Sequence, residues 1–217
     1  MMNQSEKILD LSDTWYHGTH VVATEGITEM GIDLTLSRKR LDFGPGFYLT
    51  NNYEQAVKQA VRKTEDYNDV QDQNYADTGQ QPEYTIGTIM AYNLNLEELS
   101  HTKVHFFDGT DMDWALFILG NRTKKPKKFE ISYHNRDKSL DAVYGPVADG
   151  RRKFFQLLTD IEKDRIDMPE FLRQISESFM FPYNNQLSLH TAHALSCLNL
   201  KEVDGIEVPK PHFNPGR

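Results

Sequence analysis

Apolar positions along this chain switch between a period of two and a period near 3.6, and the switches outline a series of short elements. Thr14 to Gly18 reads as a strand, followed by a turn or helix from Val22 that Gly31 closes. Leu34 to Asp42 is polar and runs into Phe43-Gly44-Pro45-Gly46, a combination that no regular helix accepts. Phe47, Tyr48 and Leu49 form the next strand, after which Asn51 or Asn52 can cap a helix reaching about Lys63, with Ala56, Ala60 and Val61 on one side. Residues 64–83 carry Glu, Asp, Asn and Gln and few aliphatics, which predicts an exposed, mobile insertion. Alternation at Tyr84, Ile86, Thr88, Met90 and Tyr92 predicts a half-buried strand.

The second half continues in the same manner. Trp114, Phe117 and Ile118 have helical spacing within Asp111 to Leu119, and Gly120-Asn121 supplies a stop, so this helix belongs to the core. Strands are expected at Phe129 to Tyr133, Ala142 to Val147 and Gln186 to His190. Amphipathic helices are expected at Lys153 to Ile161 and Pro169 to Met180, with a short helix at Thr191 to Leu198. No repeat or low-complexity tract interrupts the pattern. The expected class is α+β, with an extension over residues 1–13, one domain over 14–208 and a proline-rich tail over 209–217.

Composition narrows the class of function. The 217 residues include 24 Lys and Arg against 32 Asp and Glu, a net charge of -8, which opposes indiscriminate binding to phosphate backbones while leaving room for local basic patches. One cysteine, Cys197, excludes an internal disulfide framework and a cysteine cage for zinc. His190 and His193 lack the carboxylate or cysteine partners of a metal site. No secretory signal or long apolar run is evident, so a cytoplasmic location without membrane association is expected.

Two strings carry candidate chemistry. In Trp15-Tyr16-His17-Gly18-Thr19 a strand delivers a histidine followed by a glycine, where a planar amide could pair with the main-chain N–H and C=O while the imidazole reaches a hydroxyl. Taken alone, a histidine before a glycine is more commonly the end of a strand. In Asp42-Phe43-Gly44-Pro45-Gly46-Phe47-Tyr48 a glycine loop turns into an aromatic strand, which a structural turn explains equally well. Arg38, Lys39 and Arg40 lie between the strings, and Asn121-Arg122 leads into Lys124, Lys125, Lys127 and Lys128, the most basic segment. Both charge runs read first as solvated surface.

Together the strings are more specific. A His-Gly strand followed 31 positions later by the tyrosine of a Gly-x-Gly-Phe-Tyr strand and then a helix resembles the first two motifs of the His-Tyr-Glu ADP-ribosyltransferases, the superfamily of diphtheria toxin and the poly(ADP-ribose) polymerases. The chain also resembles a bacterial branch carrying, in order, Asp-Phe-Gly-x-Gly-Phe-Tyr, Gly-Pro-Val-Ala-Asp and Gln-x-Ser-x-His-Thr, here Asp42 to Tyr48, Gly145 to Asp149 and Gln186 to Thr191. The resemblance spans about Trp15 to Leu198 and implies an ADP-ribosyltransferase-like split β-sheet with flanking helices that takes NAD as substrate.

By the same resemblance, His17, Tyr48 and Gln186 are the catalytic positions: His17 would bond the adenosine ribose, Tyr48 would stack on the nicotinamide ring and Gln186 would hold a hydroxyl of the nicotinamide ribose. Gly18 would hold the nicotinamide carboxamide through its backbone, with Thr19, Gly46 and Phe47 beside it and Arg38 near the pyrophosphate. Physically, a pyridinium over Tyr48 gains roughly 0.5–2 kcal/mol of cation–π and packing energy. Cleavage of the glycosidic bond leaves an oxocarbenium-like ribose that must be held beside an acceptor. Gln186 stands where the superfamily has glutamate and supplies a dipole without a charge, which implies transfer of a single ADP-ribose to a protein or nucleic-acid acceptor. The resemblance further implies a bacterial toxin or phage-defence effector, with an immunity or antitoxin protein as partner. A NAD glycohydrolase and a silent NAD-binding or partner-binding fold remain the alternatives.

Overall fold

In a computed structural model of the chain, which describes residues 4–125, 129, 133–148, 151–178 and 184–208, the expected mixture of helices and strands is present and the class is α+β. Eight α-helices and two β-sheets occur among the described residues. The chain divides into two compact units, each assembled from separated segments.

The first unit comprises Met1–Asp13, Leu34–Tyr48 and Asn95–Leu198. It contains α1 (Gln4–Leu9) and most of a mixed sheet with the order β2-β6-β5-β4. In that sheet β2 is Phe47–Leu49, β4 is Val104–Phe106, β5 is Ala142–Pro146 and β6 is Asn185–Leu189. Strand β5 runs parallel to β4 and antiparallel to β6. Helices α4 (Leu96–Ser100), α5 (Met112–Arg122), α6 (Arg151–Glu162), α7 (Met168–Ser178) and α8 (Ala192–Ser196) complete the unit. Its core gathers Phe43, Phe107, Trp114, Phe117, Phe154 and Phe171. Asp111 starts α5 by accepting from Trp114 N at 2.9 Å. The helix then passes through Gly120 and Asn121, where a stop was expected, because the Asn121 side chain is buried and bonded inside the unit: Nδ2 donates to Phe117 O and Oδ1 accepts from Asn135 N, both at 2.9 Å.

The second unit comprises Thr14–Asp33, Leu49–Leu94 and Asn199–Arg217. Strand β1 (Thr14–His20) pairs antiparallel with β3 (Gly87–Leu94), which lies between β1 and β7 (Leu198–Ile206). This central position buries β3 on both faces, so it is not the half-exposed strand that its alternation suggests. Helix α2 (Val21–Met30) ends at Gly31, whose φ of 85° lies in the left-handed half of the map that glycine tolerates.

Helix α3 departs most from expectation. It begins after Asn52, which caps Gln55 N at 3.2 Å, and continues without a break from Tyr53 to Thr78. Most of the polar stretch 64–83 is therefore regular helix. The reason is a stripe at i, i+4 spacing: Ala56, Ala60, Thr64 and Asn68 are all buried, and the stripe continues in polar residues past the last aliphatic one. Asn68 then pairs with the backbone of Thr85, accepting from its N–H at 2.9 Å and donating to its carbonyl at 3.3 Å. Helices α1 and α4 and strands β4 and β7 were not foreseen: the first three are short, and β7 is mostly exposed and polar. The strand expected at Phe129 to Tyr133 and the tail over 209–217 lie largely outside the described residues. No described helix is long and apolar enough to cross a membrane.

The small residues of α3 allow very close approach to β1. A Cβ on Gly18 would lie 2.0 Å from Ala56 O and 2.8 Å from Ala60 N, both rigid backbone atoms. Gly18→Ala should therefore destabilise the chain by about 2–3 kcal/mol. Gly26→Ala, in α2 with only the flexible end of Met30 nearby, should be neutral or stabilising by about 0.5–1 kcal/mol. Urea unfolding of the two variants checks the contrast.

Candidate functional site

The sequence-derived candidates fall in both units. His17, Gly18 and Thr19 belong to the second, while Arg38, Gly46, Phe47, Tyr48 and Gln186 belong to the first.

In the second unit, the geometry of β1 determines what Gly18 can offer. In an antiparallel ladder a residue points its N–H and C=O to the same side, and the side alternates along the strand. Tyr16 exchanges both bonds with Thr50, at 2.7 and 3.0 Å, on the side away from β3. Val21 N, at the opposite parity, donates to Ile86 O at 3.0 Å just past the end of the β1–β3 ladder. Gly18, two residues from Tyr16, therefore directs one donor and one acceptor toward the edge of β1 that lies outside the order β1-β3-β7. The missing side chain has a separate explanation: its space is filled by α3. His17 is half-buried, and its Nε2 lies 3.1 Å from Lys63 Nζ. An ammonium only donates, so Nε2 is the acceptor in this pair. Thr19 is buried in the ladder opposite Thr88.

In the first unit, the three strings Asp42 to Tyr48, Gly145 to Ala148 and Gln186 to Thr191 converge. Asp42 is buried, and both its oxygens are engaged. Oδ1 accepts from Arg122 Nε at 2.8 Å and forms an ion pair with Nη2 at 2.6 Å. Oδ2 accepts from Ala148 N and from Gln186 Nε2, both at 2.9 Å. The Arg122 guanidinium also lies 5.1 Å from the Phe154 ring centroid. Gln186 is almost wholly buried, and its anchored amide nitrogen fixes which end of the group can still accept. Asp149 itself lies outside the described residues.

The rest of the glycine loop closes on itself. Phe43 is buried and stacks on Phe107, with ring centroids 5.9 Å apart. Gly44 has φ of 90° and lies against the Asn135 carbonyl. Gly46 bonds Ser37 through both backbone groups, at 2.8 and 3.0 Å. A Cβ there would meet His190 Nδ1 at 2.6 Å and Leu189 O at 2.8 Å. Phe47 is buried, and Tyr48 uses its hydroxyl locally, accepting from Phe43 N at 3.0 Å and donating to Gly44 O at 2.7 Å. Burial, reinforced by the Asp42 charge, pushes the Tyr48 phenol well above its usual range, so it stays neutral and cannot serve as a base. Arg38 is exposed.

His190, the histidine of the Gln186 to Thr191 string, holds this loop. Its Nδ1 lies 2.8 Å from Pro45 O and its Nε2 2.8 Å from Ser188 Oγ. A carbonyl only accepts, so the proton sits on Nδ1 and the serine hydroxyl donates to Nε2. Asp42, Arg122 and His190 were the residues that motif reading left out of the site. Their signal was faint: Asp42 opens the glycine string, Arg122 leads into a basic run that reads as solvated surface, and His190 is one position of the Gln186 to Thr191 string. Among the described residues no cluster of His, Cys, Asp or Glu is placed to hold a metal ion.

Residues 14–200 match the family described as "Protein of unknown function (DUF3990)". No curated protein and no solved structure matches the chain.

Burial lowers the His190 pKa from 6.5 to about 4. The folded-state value lies below the unfolded one, so between them the unfolded chain binds the extra proton. The contribution is complete above about pH 6.5 and is lost as pH falls toward 4, the loss reaching about 3 kcal/mol at the acid end. Stability measured from pH 7 to 4 should fall accordingly, and the His190 ring resonances should show no titration above about pH 5 by NMR. Asp42→Asn, which leaves the Arg122 guanidinium without its counter-charge, should cost about 3 kcal/mol.

Proposed function

The chain belongs to the DUF3990 family, and we propose that it is an NAD-dependent mono-ADP-ribosyltransferase with the split-sheet fold of that superfamily. The observation that carries this reading is the backbone of Gly18, itself buried, whose N–H and C=O point side by side away from β3. A nicotinamide carboxamide is the complementary group: planar, with an NH₂ donor and a carbonyl acceptor, able to close two hydrogen bonds as a short strand would. A charged or bulky ligand would leave one of the two groups unpaired.

In the proposed reaction the bond between the ribose anomeric carbon and the pyridinium nitrogen breaks. Its electron pair returns to the ring, nicotinamide leaves neutral, and the acceptor nucleophile attacks the same carbon and loses its proton. His17 contributes a hydrogen-bonding ring held by Lys63. Gln186, with its nitrogen tied to Asp42, offers its carbonyl oxygen to a ribose hydroxyl in one fixed orientation. Tyr48 contributes its ring, since its hydroxyl is engaged in the loop. The protein or nucleic-acid acceptor, the toxin or defence role and the neutralising partner follow from the same superfamily resemblance.

Tyr48→Ala would remove a core-packed ring and two loop hydrogen bonds at once, so Tyr48→Phe is the informative change. Incubated with NAD labelled in the adenosine, the wild-type chain should release nicotinamide and leave label on a macromolecule. Free labelled ADP-ribose alone would make it a glycohydrolase instead. His17→Ala should lower nicotinamide release by about 10- to 100-fold, the loss expected for one or two hydrogen bonds. Tyr48→Phe should keep most of the turnover and lose about 1–2 kcal/mol of stability. Absence of any nicotinamide release from the folded wild-type chain would overturn the proposal.

A further inference from the structure

A concavity of about 670 Å³ in the first unit has no role in the NAD reading. Five of the residues that line it are cationic: Lys39 and Arg40 before the glycine loop, Lys124 after α5, and Arg136 and Lys138 on the turn before β5. Among the described residues no carboxylate lines it. The acidic groups of the neighbouring segments are turned to other partners. Asp42 is held by Arg122, Glu162 accepts from the Thr123 hydroxyl and Lys124 N, and Asp137 accepts from Ser139 N. In a chain of net charge -8, five cations around one hollow are a local reversal of sign.

The cations are held in mutual proximity by the fold. Arg136 donates from Nη2 to Thr123 O at 2.6 Å, and its Nε is buried without a hydrogen-bond partner among the described residues. Burial and the nearby Arg40 together lower the Arg136 pKa, so an anion entering the hollow relieves repulsion that is present without it. Lys138 lies in the same turn, where its N–H donates to Asn135 O at 3.2 Å.

Among the described residues the lining also contains no aromatic side chain; its apolar members are Leu34 and Pro45. A pocket built for a free nucleotide needs a surface on which the base can stack. Beside Leu34 and Pro45, this one offers charges and small hydroxyls, which recognise phosphates and are indifferent to bases. We propose that the concavity binds the sugar–phosphate backbone of a nucleic-acid strand, independently of sequence. The inference concerns binding by the first unit and does not depend on NAD turnover.

Fluorescence anisotropy of end-labelled 12-mer RNA and DNA on the full-length chain tests it. Binding should weaken by about ten- to a hundred-fold between 50 and 200 mM salt, as three to five released counterions require. Lys39→Gln/Lys124→Gln, two exposed side chains, should lower the slope of log affinity against log salt by about 1.4, and Lys39→Arg/Lys124→Arg should restore it. Lys201→Gln, an exposed lysine of the second unit, should leave both affinity and slope unchanged. Three results would overturn the proposal: no binding of either oligonucleotide at 50 mM salt, a salt slope unchanged in Lys39→Gln/Lys124→Gln, or displacement of the oligonucleotide by an equal concentration of pyrophosphate or ADP. The last would identify a small phosphate ligand. Loss of oligonucleotide binding with nicotinamide release intact, or the reverse, separates this proposal from the NAD reading.

Discussion

One buried carboxylate organises the first unit. Asp42 accepts three hydrogen bonds and a further ion-pair contact from three separate stretches of chain: the guanidinium that ends α5, the backbone just after β5 and the amide of Gln186 on β6. A carboxylate taken out of water is tolerated only when its charge and lone pairs are met in full, and here they are. Segments more than a hundred residues apart in sequence are thus bound to one point, and the glycine loop that follows Asp42 inherits its position from it.

That arrangement changes the meaning of the motif. Each residue of Asp42-Phe43-Gly44-Pro45-Gly46-Phe47-Tyr48 has a packing or bonding reason internal to the unit. Phe43 fills the core, Gly44 supplies a positive φ, Gly46 admits His190, and Tyr48 closes the loop with its hydroxyl. Burial keeps both His190 and Tyr48 uncharged, so Asp42 and Arg122 are the charged pair within this network. A string of this kind is a loop of defined shape first, and any chemistry is built on that shape.

The second unit follows another logic. Its candidate group belongs to the backbone of a glycine, and the side-chain space of that glycine is already taken by helix α3. Close helix–strand packing and an outward-facing N–H and C=O are compatible because they use perpendicular directions at one residue. The small-residue stripe Ala56, Ala60, Thr64 and Asn68 makes the approach possible and carries α3 through a segment too polar to read as helix.

Local patterning by itself determined the α+β class, the start of α3 at Asn51 or Asn52, the core role of Trp114 and Phe117, and the strings that single out His17, Tyr48 and Gln186. These depend on neighbours in sequence: side chains that cap nearby N–H groups, apolar periodicity and glycine at turns. What only the tertiary structure decided is where the polar ends of those residues go. The Tyr48 hydroxyl and the Gln186 amide are engaged, His190 is a loop anchor, and cations from three segments face one hollow. The partners lie up to 145 residues apart, as for His190 and Pro45, and no periodicity within one element encodes a contact made by another.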